Sequence, residues 1–378
     1  MNVEMLFEEV KEIRRDLHRI PELSFDLPLT SGYIREKLLS YGYEIVKTAE
    51  TGWVAVLQGK GEDAVAFRAD MDGLRVTEKT GRDFSSRHEG YMHACGHDGH
   101  MAMLLGFARY LKSIEQPSPT IVLVFQPAEE GPGGARIVME EGILQKLKVK
   151  RIYGFHLYPG LPKGKIGLCS GPFMARNGEF DITVQGESSH AGQPHLGADA
   201  LVASAQVILS IQNILSRNLD PLAPAVINVG TIEGGTARNI VAGTAKIQGT
   251  IRAFSRDTYE DIRGALKRTV EGIALMNRVT VDLEIRDFYP EVHNDPSLVE
   301  EMRRFLSEEE VEIMKPLMLA EDFSFYQQEI PGVFLMLGTR DEDAGYIHPL
   351  HHERFDFEES VLLTGIAAYI RILESLSI

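Results

Sequence analysis

Eight consecutive residues, His93-Ala94-Cys95-Gly96-His97-Asp98-Gly99-His100, hold three imidazoles, a thiol and a carboxylate. These side chains ligate zinc and similar divalent ions. The spacing of Cys95 and His97 suits a loop that enters a helix at Asp98. A surface histidine cluster beside a buried cysteine is the plainer alternative for this segment alone. A second pattern, Gln126-Pro127-Ala128-Glu129-Glu130-Gly131-Pro132-Gly133-Gly134, sets two carboxylates side by side on a Pro/Gly loop. One such carboxylate can bind a metal while its neighbour takes a proton from activated water. Taken alone, a solvated acidic turn explains the pattern as well. Asp70, in Phe67-Arg68-Ala69-Asp70-Met71-Asp72-Gly73, and His156 each follow a further apolar run, and His348-Pro349-Leu350-His351-His352 offers another imidazole.

The elements that must position these residues read as an open α/β sheet. Residues 53–57, 64–67, 121–125, 151–155 and 333–337 are short apolar or β-rich runs, and 121–125 has the continuous apolar character of a strand buried on both faces. Helical spacing covers 7–19, 30–41 and 98–111. Strands alternating with helices predict a mostly parallel central sheet flanked by helices. In such sheets, sites form beyond the carboxyl ends of the strands. Three expected strands end near Asp70, Glu129-Glu130 and His156, and a fourth loop carries Cys95 and His97. That convergence favours a metal site over four unrelated accidents.

The middle of the chain reads differently. Strands at 179–185, 225–231, 244–254 and 279–286, with helices at 198–217 and 258–276, give the order β-α-β-β-α-β, the ferredoxin-like α+β pattern. The expected division is a discontinuous catalytic domain of residues 1–173 and 289–378 around an inserted domain of 174–288. Within the insert, Ser188-Ser189-His190-Ala191-Gly192-Gln193-Pro194-His195 could present His190 to a site, or be an ordinary turn. Asn239 and Arg252 are candidate substrate anchors, since arginine binds carboxylates bidentately; a surface charge is the alternative for any single arginine.

Hydrophobic residues at 44% and charged residues at 25% fit a globular protein, and 378 residues favour two domains. The net charge of −16 argues against nucleic acid or an anionic membrane as partner. Residues 1–19 lack the apolar run of a signal peptide. With only Cys95 and Cys169 available, the expectation is a reduced, cytoplasmic protein.

Jointly, Phe67-Arg68-Ala69-Asp70-Met71-Asp72, the segment His93 to His100, Pro127-Ala128-Glu129-Glu130-Gly131 and Leu350-His351-His352 resemble the aminoacylase/hippurate-hydrolase branch of the dinuclear metallopeptidases. So do Arg15-Asp16-Leu17-His18-Arg19-Ile20-Pro21-Glu22-Leu23 and the inserted domain, and the resemblance covers nearly the whole chain. It implies Cys95, His97, Glu130, His156 and His351 as ligands of divalent ions, two per subunit, with zinc, manganese, cobalt and nickel not distinguished. It further implies Glu129 as general base, Asp70 as a carboxylate that orients a ligand, and His190 as oxyanion stabiliser. The inserted domain would be a lid that also pairs two copies into a homodimer. Relatives bind the free α-carboxylate of an N-acylated amino acid, the group assigned here to Asn239 and Arg252. Glu353 departs from the family pattern, where proline is common. His351 sits at the family spacing between Leu350 and Phe355, with His352 as the alternative ligand.

Residues 125–134 and 214–222 resemble bacterial members of the branch that release acetate from an N-acetylated diaminopimelate on the route to lysine. The expected reaction is therefore metal-dependent hydrolysis of the amide of an N-acyl amino acid. A broader N-acyl-amino-acid hydrolase, a dipeptidase on the same scaffold and a non-catalytic metal-binding protein are the alternatives. A thiol redox protein is disfavoured because Cys95 has no C-x-x-C partner.

Overall fold

The computed structural model describes residues 2–376. The strands of its two large sheets are, in chain order, β1 (Glu44–Thr48), β2 (Gly52–Leu57), β3 (Ala64–Asp70), β4 (Thr120–Gln126), β5 (Val149–Pro162), β6 (Ile166–Leu168), β7 (Arg176–Gln185), β8 (Ala225–Gly234), β9 (Thr244–Ala253), β10 (Thr280–Asp287), β11 (Val311–Ile313) and β12 (Gly332–Arg340). The longer helices are α1 (Phe7–His18), α2 (Pro28–Ser40), α3 (His97–Leu111), α4 (Gly134–Glu140), α5 (Ala200–Asn213), α6 (Arg256–Asn277), α7 (Pro296–Phe305) and α8 (Val361–Ser375). Two compact units result. One takes the chain up to Gly171, His293–Lys315 and the chain from Asp322 onward; the other takes Pro172–Val292 and Pro316–Glu321.

In the first unit the sheet order is β1-β2-β4-β3-β5-β12-β6-β11. Its centre, β4-β3-β5-β12, is parallel. Every residue of β3 and β4 is buried, because helices cover a parallel sheet on both faces and leave no face for polar side chains. Helix α1 turns Val10, Ile13 and Leu17 inward, and α3 and α8 bury Leu104, Phe107, Ile366 and Tyr369 in the same core. Sequence periodicity predicted α1, α2 and α3 to within two residues at each end. The strand Glu44–Thr48, with little burial to mark it, gave no signal of its own.

One expectation needs correction. His156 does not follow a strand; it lies inside β5, which runs on to Pro162. Pairing of β5 with β3 nevertheless stops at Gly154, opposite Arg68, while pairing with β12 continues through His156 and Leu157. His156 thus stands where pairing with β3 has stopped, and that is the opening a site requires.

The second unit is a β7-α5-β8-β9-α6-β10 fold with the antiparallel order β10-β7-β9-β8. Asp199 caps α5 by accepting from the Leu201 and Val202 amides, and Ser255 caps α6 through the Thr258 amide. Both helices pack on one sheet face around Phe180, Ile182, Val207, Ile247 and Leu266. The segment Pro316–Glu321 belongs here because Leu317 bridges to Met174 and the Leu317 amide donates to the Phe173 carbonyl.

Buried charge ties α1 to the rest of the first unit. The Arg14 guanidinium, almost fully buried, lies 2.9 Å from Asp98, 2.7 Å from Asp356 and 3.3 Å from Glu359. His18 adds a contact of 2.8 Å to Asp98 and of 3.3 Å to Glu78. Burial alone would lower the His18 pKa, but Asp98 and Glu78 outweigh it and raise it. Removing one partner of a buried pair strands the other charge. Arg14→Leu is therefore expected to destabilise the fold by about 3–5 kcal/mol in urea unfolding. A change under about 1 kcal/mol would show that these pairs contribute no more than surface ones do.

Candidate metal centre

Loops at the carboxyl ends of β3 and β4, strand β5 itself at His156 and a loop after β12 bring the site together. The loop after β3 leads to Gly96, whose left-handed φ of 86° starts α3 at His97. A Cβ at Gly96 would lie 3.1 Å from a Leu157 methyl, so both conformation and space favour glycine. The acidic loop after β4 begins at Ala128, a non-glycine residue with φ of 58°. Its carbonyl accepts the Gly133 and Gly134 amides. The Asp72 carboxylate accepts the amides of Glu129, at 2.9 Å, and Glu130, at 3.1 Å. His351, at φ 64°, donates its amide to the Ala94 carbonyl at 2.8 Å, which folds its imidazole back beside Cys95. Left-handed non-glycine residues cost energy and concentrate at functional sites; both here place a candidate ligand or base.

The donor atoms converge. Cys95 Sγ lies 3.4 Å from His156 Nε2 and 3.3 Å from His351 Nε2. His351 Nε2 is 3.1 Å from Glu130 Oε1, and His97 Nε2 is 3.9 Å from Glu129 Oε2. Five sets of donor atoms among the described residues each fall within 4.8 Å, and three of them are drawn wholly from the expected ligands and base: Cys95, His97 and His156; Cys95, Glu130 and His351; His97, Glu129 and Glu130. All five expected ligands and the expected base are thus brought together, with Cys95 common to two sets. His352 instead stacks on His348 at 4.4 Å and turns Nδ1 to the Arg354 amide.

Asp70 is also present, but its direct contacts are with Arg68 Nη1 at 2.8 Å and His100 Nδ1 at 2.6 Å. It stands 3.8 Å from His97 Nδ1, and Asp72 stands slightly nearer at 3.6 Å. Sequence reasoning assigned no role to Asp72 or His100. The two-residue step from Asp70 to Asp72, and the three-residue step from His97 to His100 on one helix face, were the available signals.

The electrostatics suit a cation. Burial would lower the His97 pKa, but Asp70, Asp72 and Glu130 drive it up to about 10. Burial, with Glu130 and Glu129 beside it, holds the Cys95 thiol above its ordinary range. Burial works against ionised Glu130, yet its contact with His351 and the nearby His97 lower its pKa. His156 is kept neutral by burial and by the neighbouring His100. Its Nδ1 donates to the Leu157 carbonyl at 2.7 Å, so Nε2 carries the lone pair and faces Cys95. Both ring nitrogens of fully buried His97 lack a partner at hydrogen-bond distance. A neutral lone pair, a soft thiol, a starved imidazole and excess carboxylate fit divalent ions well.

The other expected residues lie in the second unit. Strand-like antiparallel pairing joins residues 189–191 to 239–241; the Ala191 amide donates to the Asn239 carbonyl at 3.0 Å and His190 bridges to Ile240. Both side chains are exposed. The Gly192 amide donates to His190 Nδ1 at 3.0 Å, which leaves Nε2 as the N–H donor of the neutral ring. Arg252 is half-buried on β9, donates to the Ile251 carbonyl and the Thr250 hydroxyl, and forms no ion pair among the described residues.

The model of peptidase family M20/M25/M40 matches residues 66–375. An N-acetyldiaminopimelate deacetylase of Leuconostoc citreum is 37% identical over 376 residues, covering 97% of this chain and 96% of the relative. One of Bacillus subtilis is 38% identical over 369 residues, covering 96% and 97%. The crystal structure of a dinuclear metal-binding peptidase of the M20 family from Bacillus subtilis superposes with a TM-score of 0.86 at 30% identity, covering 99% of this chain and 100% of that one. No helix among the described residues is long and apolar enough to cross a membrane.

If the donor sets hold ions, Cys95→Ser should weaken binding by about 10-fold or more, since a hydroxyl is a harder and poorer ligand than a thiolate. Competition with a chromophoric chelator, with elemental analysis, reads this out. Wild-type affinity in the variant would remove Cys95 from the ligand set.

Proposed function

The chain belongs to peptidase family M20/M25/M40, and from that premise we propose that it hydrolyses N-acetyl-LL-2,6-diaminopimelate to diaminopimelate and acetate, a step in lysine biosynthesis. It is a metal-dependent amidohydrolase, and the deacetylases among its relatives match it along nearly their full length. The observation that carries the reading is the pair Glu129-Glu130. Glu130 joins Cys95 and His351 in one donor set, and buried Glu129 joins His97 and Glu130 in another, so the pair brings a second carboxylate to the donors, one more than a site that only binds metal requires.

Cys95, His97, Glu130, His156 and His351 would hold two divalent ions. Bound there, such ions supply Lewis acidity to an amide carbonyl and acidify water. Glu129 takes the proton as water adds to the acyl carbon. It then returns that proton to the nitrogen as the carbon–nitrogen bond breaks, so acetate and a free amine leave. Asp72 holds the Glu129 amide and so fixes the start of the side chain. His190 Nε2–H donates to the oxyanion, and Arg252 with Asn239 binds the α-carboxylate. Support for the anchor is an arginine without a carboxylate partner among the described residues. Asp70 orients neighbouring imidazoles. The residue groups of 1–173 and 289–378 would form the catalytic domain, and 174–288 the lid.

The metal-loaded protein should show its highest kcat/KM on N-acetyl-diaminopimelate within a panel of N-acetyl amino acids, hippurate and dipeptides. Glu129→Gln should lower kcat by at least ~10²-fold with metal content unchanged, and Arg252→Ala should raise KM for acids but not for carboxyl-amidated substrates. A preference for dipeptides would overturn the substrate assignment, and an active Glu129→Gln variant the choice of base.

We further propose a homodimer formed through the second unit. Strand β8 is an unpaired sheet edge that exposes Val226 and Ile232, and α5 exposes Leu201, Val202 and Leu209. Edges of this kind pair readily with a second copy. In that dimer His190 serves the partner's metal centre. Mixing His190→Ala with Glu129→Gln subunits should then restore part of the activity, because one site of the hybrid carries neither lesion. A hybrid as inactive as its parents would place His190 in its own subunit's site.

A further inference from the structure

We infer that His100 is a positioning residue that sets the imidazole of His156 through the backbone of Leu157. Pairing of β3 with β5 stops at Arg68, opposite Gly154, although β3 stays paired with β4 through Asp70. On the β3 side the Leu157 amide therefore has no ladder pairing to accept it. A buried amide without an acceptor is costly. His100 fills the gap from the first turn of α3, for its Nε2 lies 2.9 Å from the Leu157 nitrogen.

This contact determines the tautomer. A backbone N–H can only donate, so Nε2 must be the lone-pair nitrogen. The ring proton then sits on Nδ1, which donates to Asp70 Oδ1 at 2.6 Å. Asp70 is held in turn by Arg68 Nη1 at 2.8 Å, and Arg68 Nη2 reaches Asp322 at 2.7 Å. The Leu157 carbonyl accepts His156 Nδ1–H at 2.7 Å. The backbone N–H and C=O of one residue are therefore held by two imidazoles. The chain Asp322, Arg68, Asp70, His100, Leu157, His156 ends with the His156 lone pair aimed toward Cys95 Sγ. The rings of His100 and His156 also meet edge to face, with centroids 4.7 Å apart.

His100, Asp70 and His97 have donor atoms close enough to hold an ion themselves. Both His100 nitrogens are already engaged in hydrogen bonds, however, and neither is free to ligate. The three histidines of the cluster thus differ in duty, and His100 acts on the metal only through His156. Partners that orient ligating imidazoles commonly change metal affinity by about 10- to 100-fold.

Two amide variants separate the two halves of the contact. His100→Asn keeps a donor near Nδ1 and loses the acceptor at Nε2; His100→Gln can place its carbonyl oxygen near Nε2 and accept the Leu157 amide. The experiment titrates Co2+ into metal-free wild type and variants, follows the thiolate-to-cobalt absorption of Cys95, and obtains Kd by competition with a chromophoric chelator. Thermal unfolding of the metal-free proteins is measured in parallel. His100→Ala and His100→Asn should weaken binding by about 10- to 100-fold and shift the cobalt spectrum, while His100→Gln stays near wild type. KM should be less affected than kcat. Equal affinity in wild type and His100→Asn, or equal losses in the Asn and Gln variants, would overturn the inference, and these two variants decide the matter if His100→Ala does not fold. The inference rests on the ligand set proposed above: wild type that binds no divalent ion defeats that set, whereas wild type that binds while His100→Asn matches it defeats only the role of His100.

Discussion

Four carboxylates crowd one buried imidazole, and their charge must be balanced where burial leaves little solvent to do it. Asp70, Asp72 and Glu129 each approach His97 within 4 Å, and Glu130 lies in the same cluster. Charges taken out of water persist only when paired and hydrogen-bonded. The protein supplies part of the balance. Arg68 and His100 hold Asp70, and two backbone amides hold Asp72. Burial would raise the pKa of Asp70, yet His97, His100 and Arg68 drive it well below its ordinary value. Asp72 has fewer such partners, and burial lifts its pKa. What the protein leaves unbalanced is a deficit of positive charge among the donors, which divalent ions supply. Loss of those ions would leave His97 to take up a proton, as its pKa of about 10 indicates.

The parallel sheet makes this concentration of charge possible. Its strands end at different heights, so β3 stops while β5 continues, and a wedge opens at His156. Polar groups can enter the wedge without breaking the ladder below it. The strained turns at Ala128 and His351 sit on its rim. They are held by specific bonds, from the Gly133 and Gly134 amides to the Ala128 carbonyl and from the His351 amide to the Ala94 carbonyl. A rigid sheet thus absorbs the strain that loops alone could not hold.

Much of this was legible from residue types and spacing. Cys95, His97 and Glu130 stand out because sulfur, imidazole and paired carboxylates in loops after apolar runs have few common structural uses. The roles of His190 and His351, and the division of the pair into Glu130 as ligand and Glu129 as base, came with the family resemblance, since single histidines and acidic turns are too frequent to stand alone. The Arg68–Asp322 contact joins residues 254 positions apart, and no local pattern announces it. His156 was placed at a strand end because the apolar run stops there; the backbone does not, for β5 continues with Leu157 and Leu161 buried. Hydrophobicity reports which face is buried, not which neighbour strand has stopped pairing.

The three histidines of the motif illustrate the limit more sharply. Side-chain chemistry makes each an equal candidate ligand. Their hydrogen bonds separate them. His97 has neither nitrogen engaged, His100 has both engaged, and His93 is buried with its pKa held down to about 3 mainly by that burial. An imidazole can ligate only with a nitrogen that no hydrogen bond already occupies, so among these three the buried, unengaged ring that faces Glu129 is the one suited to an ion. His93 also has both nitrogens unbonded, but no carboxylate, thiol or second imidazole joins it in a donor set among the described residues. A ligand therefore needs two conditions together, a free lone pair and a neighbour with which to share the ion. Of the three, only His97 meets both.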